Sequence, residues 1–289
     1  MPAAEEVTPL YMPERLGLIA GGGCLPQRLI EVCEKRNIEL FIVGFEGQTD
    51  MSILSGHNHM RTRLGAAGQI IKTLQAHGIY DLVMIGSIRR PGITELKPDM
   101  RTAQFFAKIG LKALGDNGLL VALRRELEAE GFVIHGIQKF VDELLIGTGL
   151  AGKHKPAKAD KQDIRKAIEI ATKLGEADVG HSVVIQDGIT LAIESAEGTD
   201  ATIKRAKSYK RKERGGILVK WCKPGQDMDL DLPVIGPQTV LNCAESGLTG
   251  IAVRAGHTLM VNAEEVIPLL NKHKIFLIGV NDTHDQAIT

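Results

Sequence analysis

No charge of one sign dominates this chain of 289 residues, in which 35 Lys and Arg balance 35 Asp and Glu. A global field that would recruit nucleic acid or an acidic membrane is therefore missing, and any anion site has to be built locally. Cysteine is scarce: Cys24, Cys33, Cys222 and Cys243 contain no Cys-x-x-Cys pair and follow no secretory signal. That pattern points to reduced, structural thiols in a cytoplasmic protein. The longest apolar stretches, YDLVMIGSI at 80–88 and IFLIGV at 275–280, fall far short of the ~20 residues a membrane-spanning helix requires. Any membrane contact is thus expected to be peripheral. Gly-x-Ser-x-Gly, His-Glu-x-x-His and Walker A patterns are missing too, which argues against several common hydrolase chemistries.

What is present reads as two α/β domains. Hydrophobic residues make up 44% and charged residues 24% of the chain, an ordinary globular balance, and the length suits two domains. Residues 1–14 carry three prolines and no periodicity, so they are read as a flexible leader. LGLIAGGG (16–23), LPQRLIEVCEKRN (25–37) and ELFIVGF (39–45) form a strand, a helix with Leu25, Leu29, Ile30 and Cys33 on one face, and a second strand. This βαβ pattern continues through a helix at 65–78, a strand at 80–88, a helix opening at Asp116 as N-cap, and a strand at 132–137. Residues 15–145 are accordingly expected to be a Rossmann-like, doubly wound domain. A Gly/Lys/Pro-rich stretch makes 146–160 a linker. Residues 161–289 are expected to be a mixed α/β domain, with antiparallel structure entering where Asp187-Gly188 joins two β runs as a two-residue hairpin turn.

Several residues are candidates for chemistry. Gly21, Gly22 and Gly23 lie between a strand and a helix, where a backbone can approach phosphate, although a tight structural turn explains them as well. Pro26 interrupts the dinucleotide fingerprint these glycines would begin. Arg89 and Arg90 in GSIRRP follow a strand and suit fork-like contacts to phosphate, or else decorate a solvated loop. His57 and His59 have no nearby carboxylate or cysteine in sequence, so they read as loop decoration ahead of a metal site. Glu194, Glu197 and Asp200 in ESAEGTD, with Asp227, Asp229 and Asp231 in QDMDLD, supply oxygen ligands of the kind magnesium or manganese takes. Asp200 also fits a helix N-cap, and Asp229 and Asp231 an exposed strand. Asp227 stands apart because the Pro224-Gly225 turn precedes it.

LGLIAGGGCLP, GSIRRP, GDNGLL, AIESAEGTDA and GGILVKWCKPGQDMDLDLPVIGP, in this order between Leu16 and Val280, resemble the LpxI-type UDP-2,3-diacylglucosamine pyrophosphatases of Gram-negative lipid A biosynthesis. The resemblance implies a magnesium-dependent (or manganese-dependent) homodimeric hydrolase of two α/β domains. It would release 2,3-diacylglucosamine 1-phosphate (lipid X) and UMP after attack at the sugar-side phosphorus, in peripheral contact with the inner membrane. It also implies that the aspartate of KPGQD, here Asp227, is essential. Trp221-Cys222 stands where smaller residues are more usual before that motif. On this reading Asp227 is catalytic, Asp227, Asp200 and Glu197 hold the metal, and Gly21, Gly22, Gly23, Arg89, Arg90, Thr199, Lys223 and Gln226 bind substrate. Competing readings are an NAD(P)-dependent oxidoreductase built on the first domain, and a nucleotide-binding regulatory module without turnover.

Overall fold

The structure is a computed structural model that describes residues 12–89, 96–109, 116–222, 227–230 and 232–281. The chain divides into two compact units, Met1–Asp142 and Glu143–Thr289. In the first, β1 (Arg15–Ala20), α1 (Leu25–Lys35), β2 (Glu39–Phe45), β3 (Asn58–Thr62), α2 (Ala67–Ala76), β4 (Asp81–Ile85), α3 (Met100–Ile109), α4 (Asp116–Ala129) and β5 (Val133–His135) follow in sequence. The five strands are all parallel, in the order β3-β2-β1-β4-β5. Strand order reverses beside β1, so the loops after β1 and β4 leave the carboxyl edge in divergent directions, the usual ligand position in such sheets. Central β1 shows no alternation, with Leu16, Gly17 and Leu18 buried in succession, because a parallel strand between helical layers faces apolar surroundings on both sides. Leu29, Ile30 and Cys33 of α1 are buried as the periodicity predicts, and Pro26 occupies its first turn.

Two features of this unit depart from the sequence reading. Asn58 and His59 belong to β3, an edge strand, where a loop is expected from His57-Asn58-His59 alone; His57 lies beside Glu34 at 3.6 Å and its carbonyl contacts His59 Nδ1 at 2.8 Å. The α3 helix is held by Asp99, which accepts from Thr102 N and, across to the start of α2, from Gly68 N, both at 2.8 Å. One carboxylate therefore satisfies first-turn amides of two helices.

The second unit contains β6 (Gly149–Leu150), α5 (Lys158–Glu176), β7 (Ser182–Gln186), β8 (Ile189–Ile193), α6 (Gly198–Ala206), β9 (Ile217–Lys220), β10 (Val234–Ile235), α7 (Pro237–Glu245), β11 (Gly250–Arg254), β12 (Leu259–Met260), α8 (Ala263–His273) and β13 (Phe276–Val280). Its six-stranded sheet has the order β6-β13-β11-β9-β7-β8, and β10 pairs with β12 separately. β9, β11 and β13 are parallel, whereas β6, β7 and β8 pair antiparallel. Within the stretch 146–160, Gly149 and Leu150 pair with Gly279 and Ile278, and Ile146 is buried. The hairpin turn expected between β7 and β8 is present, with φ of 49° at Asp187 and 75° at Gly188, the left-handed pair that matches strand twist. From α5, Asp163 accepts from Gly188 N and Lys166 Nζ donates to Gly188 O, each at 2.6 Å. The core lies on both faces of the sheet: Leu218, Ile251 and Leu277 pack with α6, α7 and α8, and Ile217, Ala252 and Phe276 with α5.

Candidate active site

In the first unit the glycine loop is closed onto the loop after β4. Gly21 N donates to Ile85 O and Gly22 N to Ser87 O, while Ser87 N returns a bond to Gly22 O, at 2.8 to 2.9 Å. A Cβ on Gly21 would lie 2.6 Å from Gly86 C and Ser87 O, so glycine is required here by close backbone approach. The amides of Gly21 and Gly22 are thus engaged within the protein, and Pro26 contributes no N–H to the first turn of α1. Gln48 fixes the neighbouring segment, its Nε2 donating to Arg89 O and its Oε1 accepting from Arg89 N. The exposed Arg89 is held at the backbone; Arg90 lies outside the described residues.

The second unit offers a different arrangement. β8 runs into a buried glutamate, Glu194, then into Gly198 at φ 80° and directly into α6. Gly180 lets the chain entering β7 lie against this segment, since a Cβ there would come 2.2 Å from Glu194 O. An open cleft of about 440 Å3 is lined by Glu197, Thr199 and Asp200 of α6 and its cap, Lys220 at the end of β9, and Gly236 and Thr239 at the start of α7. Helix N-termini carry unsatisfied amides and the positive end of the dipole. Two of them converge with the ammonium of Lys220, a residue only 8% exposed whose Nζ also donates to Val234 O at 3.1 Å. The helix termini and Lys220 suit an anion such as phosphate, while the carboxylates of Glu197 and Asp200 beside them suit a cation bound along with it.

Behind this wall lies a polar cluster. Thr199 Oγ1 donates to Glu194 Oε1 at 2.8 Å and stands 3.3 Å from Ser182 Oγ, and His181 Nε2 lies 3.7 Å from Glu194 Oε2. Burial alone would push the Glu194 carboxyl up, but the His181 charge, hydrogen bonds from Ser182 and Thr199, and the Lys220 charge outweigh it and hold it below the ordinary glutamate value. Glu194 is therefore an anion at neutral pH.

The carboxylates singled out in sequence are distributed unequally. Asp200 sits at the third position of α6 and not at its N-cap, which is Glu197 without a side-chain cap bond. The Glu197 carboxylate is bound by Ser195 and Arg205 and lies 3.3 Å from Thr202 Oγ1; the Ser195 hydroxyl first, then its own backbone N–H and Arg205, draw its pKa down to about 2. Asp227 is half-buried and opens a turn, its Oδ1 accepting from Asp229 N at 3.0 Å. Residues 228–230 are that turn, so Asp229 does not alternate along an exposed strand; the sequence reading fails there because a local side-chain bond competes with extension. Asp231, Lys223 and Gln226 lie outside the described residues. Among the described residues no three His, Cys, Asp or Glu side chains converge to hold a metal ion, so Glu197, Asp200 and Asp227 are not gathered into one ligand set. The donor chemistry still fits magnesium or manganese at the cleft, where Asp200 supplies a hard oxygen and such ions need only one or two carboxylates beside substrate phosphate.

Residues 15–144 match the LpxI N-terminal domain and residues 147–278 the LpxI C-terminal domain. A Caulobacter vibrioides protein named UDP-2,3-diacylglucosamine pyrophosphatase LpxI is 35% identical over 274 residues, covering 92% of this chain and 98% of that protein. The chain belongs to the LpxI family. Among solved structures, the biotin carboxylase domain of Hydrogenobacter thermophilus 2-oxoglutarate carboxylase is 12% identical with a TM-score of 0.21, covering 62% of this chain and 36% of that one. The biotin carboxylase subunit of pyruvate carboxylase is 13% identical with a TM-score of 0.20, covering 61% and 35%. Similarity at that level carries no argument about this LpxI chain.

Four contributors, Lys220, Gly236, Thr239 and Gln48, are not singled out by the sequence. Only GTD, between a β run and a helix, signals the cleft.

Proposed function

We propose that the protein hydrolyses the pyrophosphate of UDP-2,3-diacylglucosamine, giving 2,3-diacylglucosamine 1-phosphate (lipid X) and UMP in lipid A biosynthesis. Family membership gives the reaction class, a phosphorus-anhydride hydrolase, and the convergence of two helix N-termini with buried Lys220 is the observation that carries the placement. A pyrophosphate repels hydroxide, so turnover needs cationic stabilisation of the phosphoryl oxygens and an oriented water. Lys220 and the first-turn amides of α6 and α7 bind and neutralise those oxygens. Asp227, whose Oδ1 is steadied by Asp229 N, orients the water or takes its proton. Asp200, with Glu197, would hold a magnesium or manganese ion, which when bound adds Lewis-acid charge at the phosphate.

On this reading the first unit is a Rossmann-like domain and the second a catalytic α/β domain, with Gly21, Gly22, Gly23, Arg89, Arg90, Lys223 and Gln226 assigned to substrate. With the Gly21 and Gly22 amides engaged internally, these two glycines offer a ligand close approach and not hydrogen bonds. The substrate has two acyl chains, and among the described residues no helix is long and apolar enough to cross a membrane; the proposed association is peripheral, at the cytoplasmic face of the inner membrane, by a homodimer. The test is direct: purified protein is incubated with UDP-2,3-diacylglucosamine, with and without magnesium, and UMP is measured. Release of UMP that chelation stops and magnesium or manganese restores is expected. No UMP under any condition would defeat the assignment, and UMP release after exhaustive chelation would remove the metal from it.

A further inference from the structure

The contact between Glu194 and Thr199 fixes which way the Thr199 hydroxyl faces chemically. A threonine hydroxyl has one proton to donate and two lone pairs. Glu194, its side chain 7% exposed, is ionised and can only accept, and Thr199 Oγ1 is 2.8 Å from its Oε1. The single Thr199 proton is therefore committed to the protein interior. In the 3.3 Å contact with fully buried Ser182, Thr199 can then only accept, so whether the serine proton goes to Thr199 or to Glu194, at least one Thr199 lone pair is left for the cleft it lines. A phosphate oxygen, itself an acceptor, has nothing to gain from that lone pair. The partner must bring a proton.

We propose that Glu194 is a positioning residue that holds Thr199 as a hydrogen-bond acceptor for the attacking water, so that Thr199 orients the nucleophile and does not bind phosphate. This rests on the placement of the reaction in the α6–α7 cleft. Glutamate is needed for the task because its other oxygen, Oε2, has no hydrogen-bond donor among the described residues and faces His181 Nε2 at 3.7 Å. A glutamine would turn its carbonyl to that side, next to His181 and Lys220, and present NH2 to Thr199. The hydroxyl proton would then be free to enter the cleft, reversing the polarity of the contact at nearly constant shape.

The experiment compares kcat and KM for Thr199→Val, Thr199→Ser, Glu194→Gln and the Thr199→Val/Glu194→Gln double variant, each checked for folding by thermal melting. The expectation is a kcat loss of about a hundredfold for Thr199→Val and at least about tenfold for Glu194→Gln, with KM little changed and Thr199→Ser close to the parent protein. If Glu194 acts through Thr199, the double variant is no slower than Thr199→Val alone, because coupled residues are not additive. A folded Glu194→Gln protein with parental kcat, losses that multiply in the double variant, or a change confined to KM would each overturn the proposal. Should Glu194→Gln not fold, equal rates for Thr199→Ser and Thr199→Val would do so. A parental rate in Thr199→Val would overturn both this proposal and the placement of the reaction, whereas UMP release by the parent protein tests the reaction itself independently.

Discussion

Both units send a strand into a glycine and then a helix: β1 into residues 21–23 and α1, and β8, by way of Glu194, into Gly198 and α6. Among the described residues, it is the second arrangement that lines a charged cleft. In the first, the amides of Gly21 and Gly22 are tied to Ile85 and Ser87. In the second, Lys220 arrives from β9 and the N-terminus of α7 from beyond β10, bringing positive charge that no local motif contains. A strand–glycine–helix passage in sequence announces a sharp turn; what makes it an anion site is what distant elements add to it.

The comparison breaks most sharply at the chemistry assigned to the second unit. Asp227→Asn keeps the oxygen that caps Asp229 N but loses the charge, so turnover is expected to fall by roughly a thousandfold, and Lys220→Met by about a hundredfold, typical of removing one electrostatic stabiliser. Steady-state rates of variants with unchanged melting profiles check both; a fast Asp227→Asn enzyme would relocate the chemistry. With Asp227 acting at the sugar-side phosphorus, turnover in heavy-oxygen water labels lipid X and leaves UMP unlabelled, and label in UMP would assign the other phosphorus.

A change in the first unit should act on stability instead. Gly21→Ala forces a methyl against the backbone of residues 86 and 87 at 2.6 Å, with an expected cost of about 1–3 kcal/mol. An unchanged melting temperature would show that the loop has room and would restore it as a ligand cradle. Asp99→Ala removes caps from α2 and α3, at about 1–2 kcal/mol. Burial raises the Asp99 pKa somewhat, but the bonds from Thr102, Gly68 and Gln69 prevail and leave it below 3.8. Its contribution is thus complete above the unfolded value and lost as pH falls through the lower folded value. The difference in stability between Asp99→Ala and the parent protein should therefore narrow in acid; a difference constant down to pH 2 would contradict the capping account.

Smallest of all is the effect expected from thiol reagents. Cys24 is exposed, while Cys33, Cys222 and Cys243 are buried; burial pushes Cys33 up to about 12 and raises Cys243 as well. One thiol should react in the native protein, without unfolding it, as counted by mass. Two or more fast-reacting thiols would show the core of either unit to be open.

The long elements were legible because their periods are clear: the buried runs of β1, β2, β11 and β13, the stripe of α1, and the Asp187-Gly188 turn. What escaped was set by tertiary context. Asn58–Thr62 reads NHMRT, with too few apolar residues to announce an edge strand. The two-residue strands β6, β10 and β12 are too short to carry a period. Asp227 and Asp229 alternate like a strand, but the carboxylate at one bonds the amide at the other and bends the chain. The cleft was half legible: GTD marks the α6 wall, whereas Lys220 is indistinguishable in sequence from any residue ending a strand.

The grip of α5 on the β7–β8 turn has a kinetic side. Asp163 and Lys166 hold both polar groups of Gly188 across only 25 and 22 residues of chain, while the pairing of β6 with β13 waits for ends more than a hundred residues apart. Closing a short loop loses less chain entropy before its contacts form, and local contacts speed folding. The helix and hairpin at 158–193 are thus the natural nucleus of the second unit, with the β6 pairing formed late. Asp163→Ala should slow folding more than it speeds unfolding, giving a φ-value near one, whereas a value near zero would reverse that order.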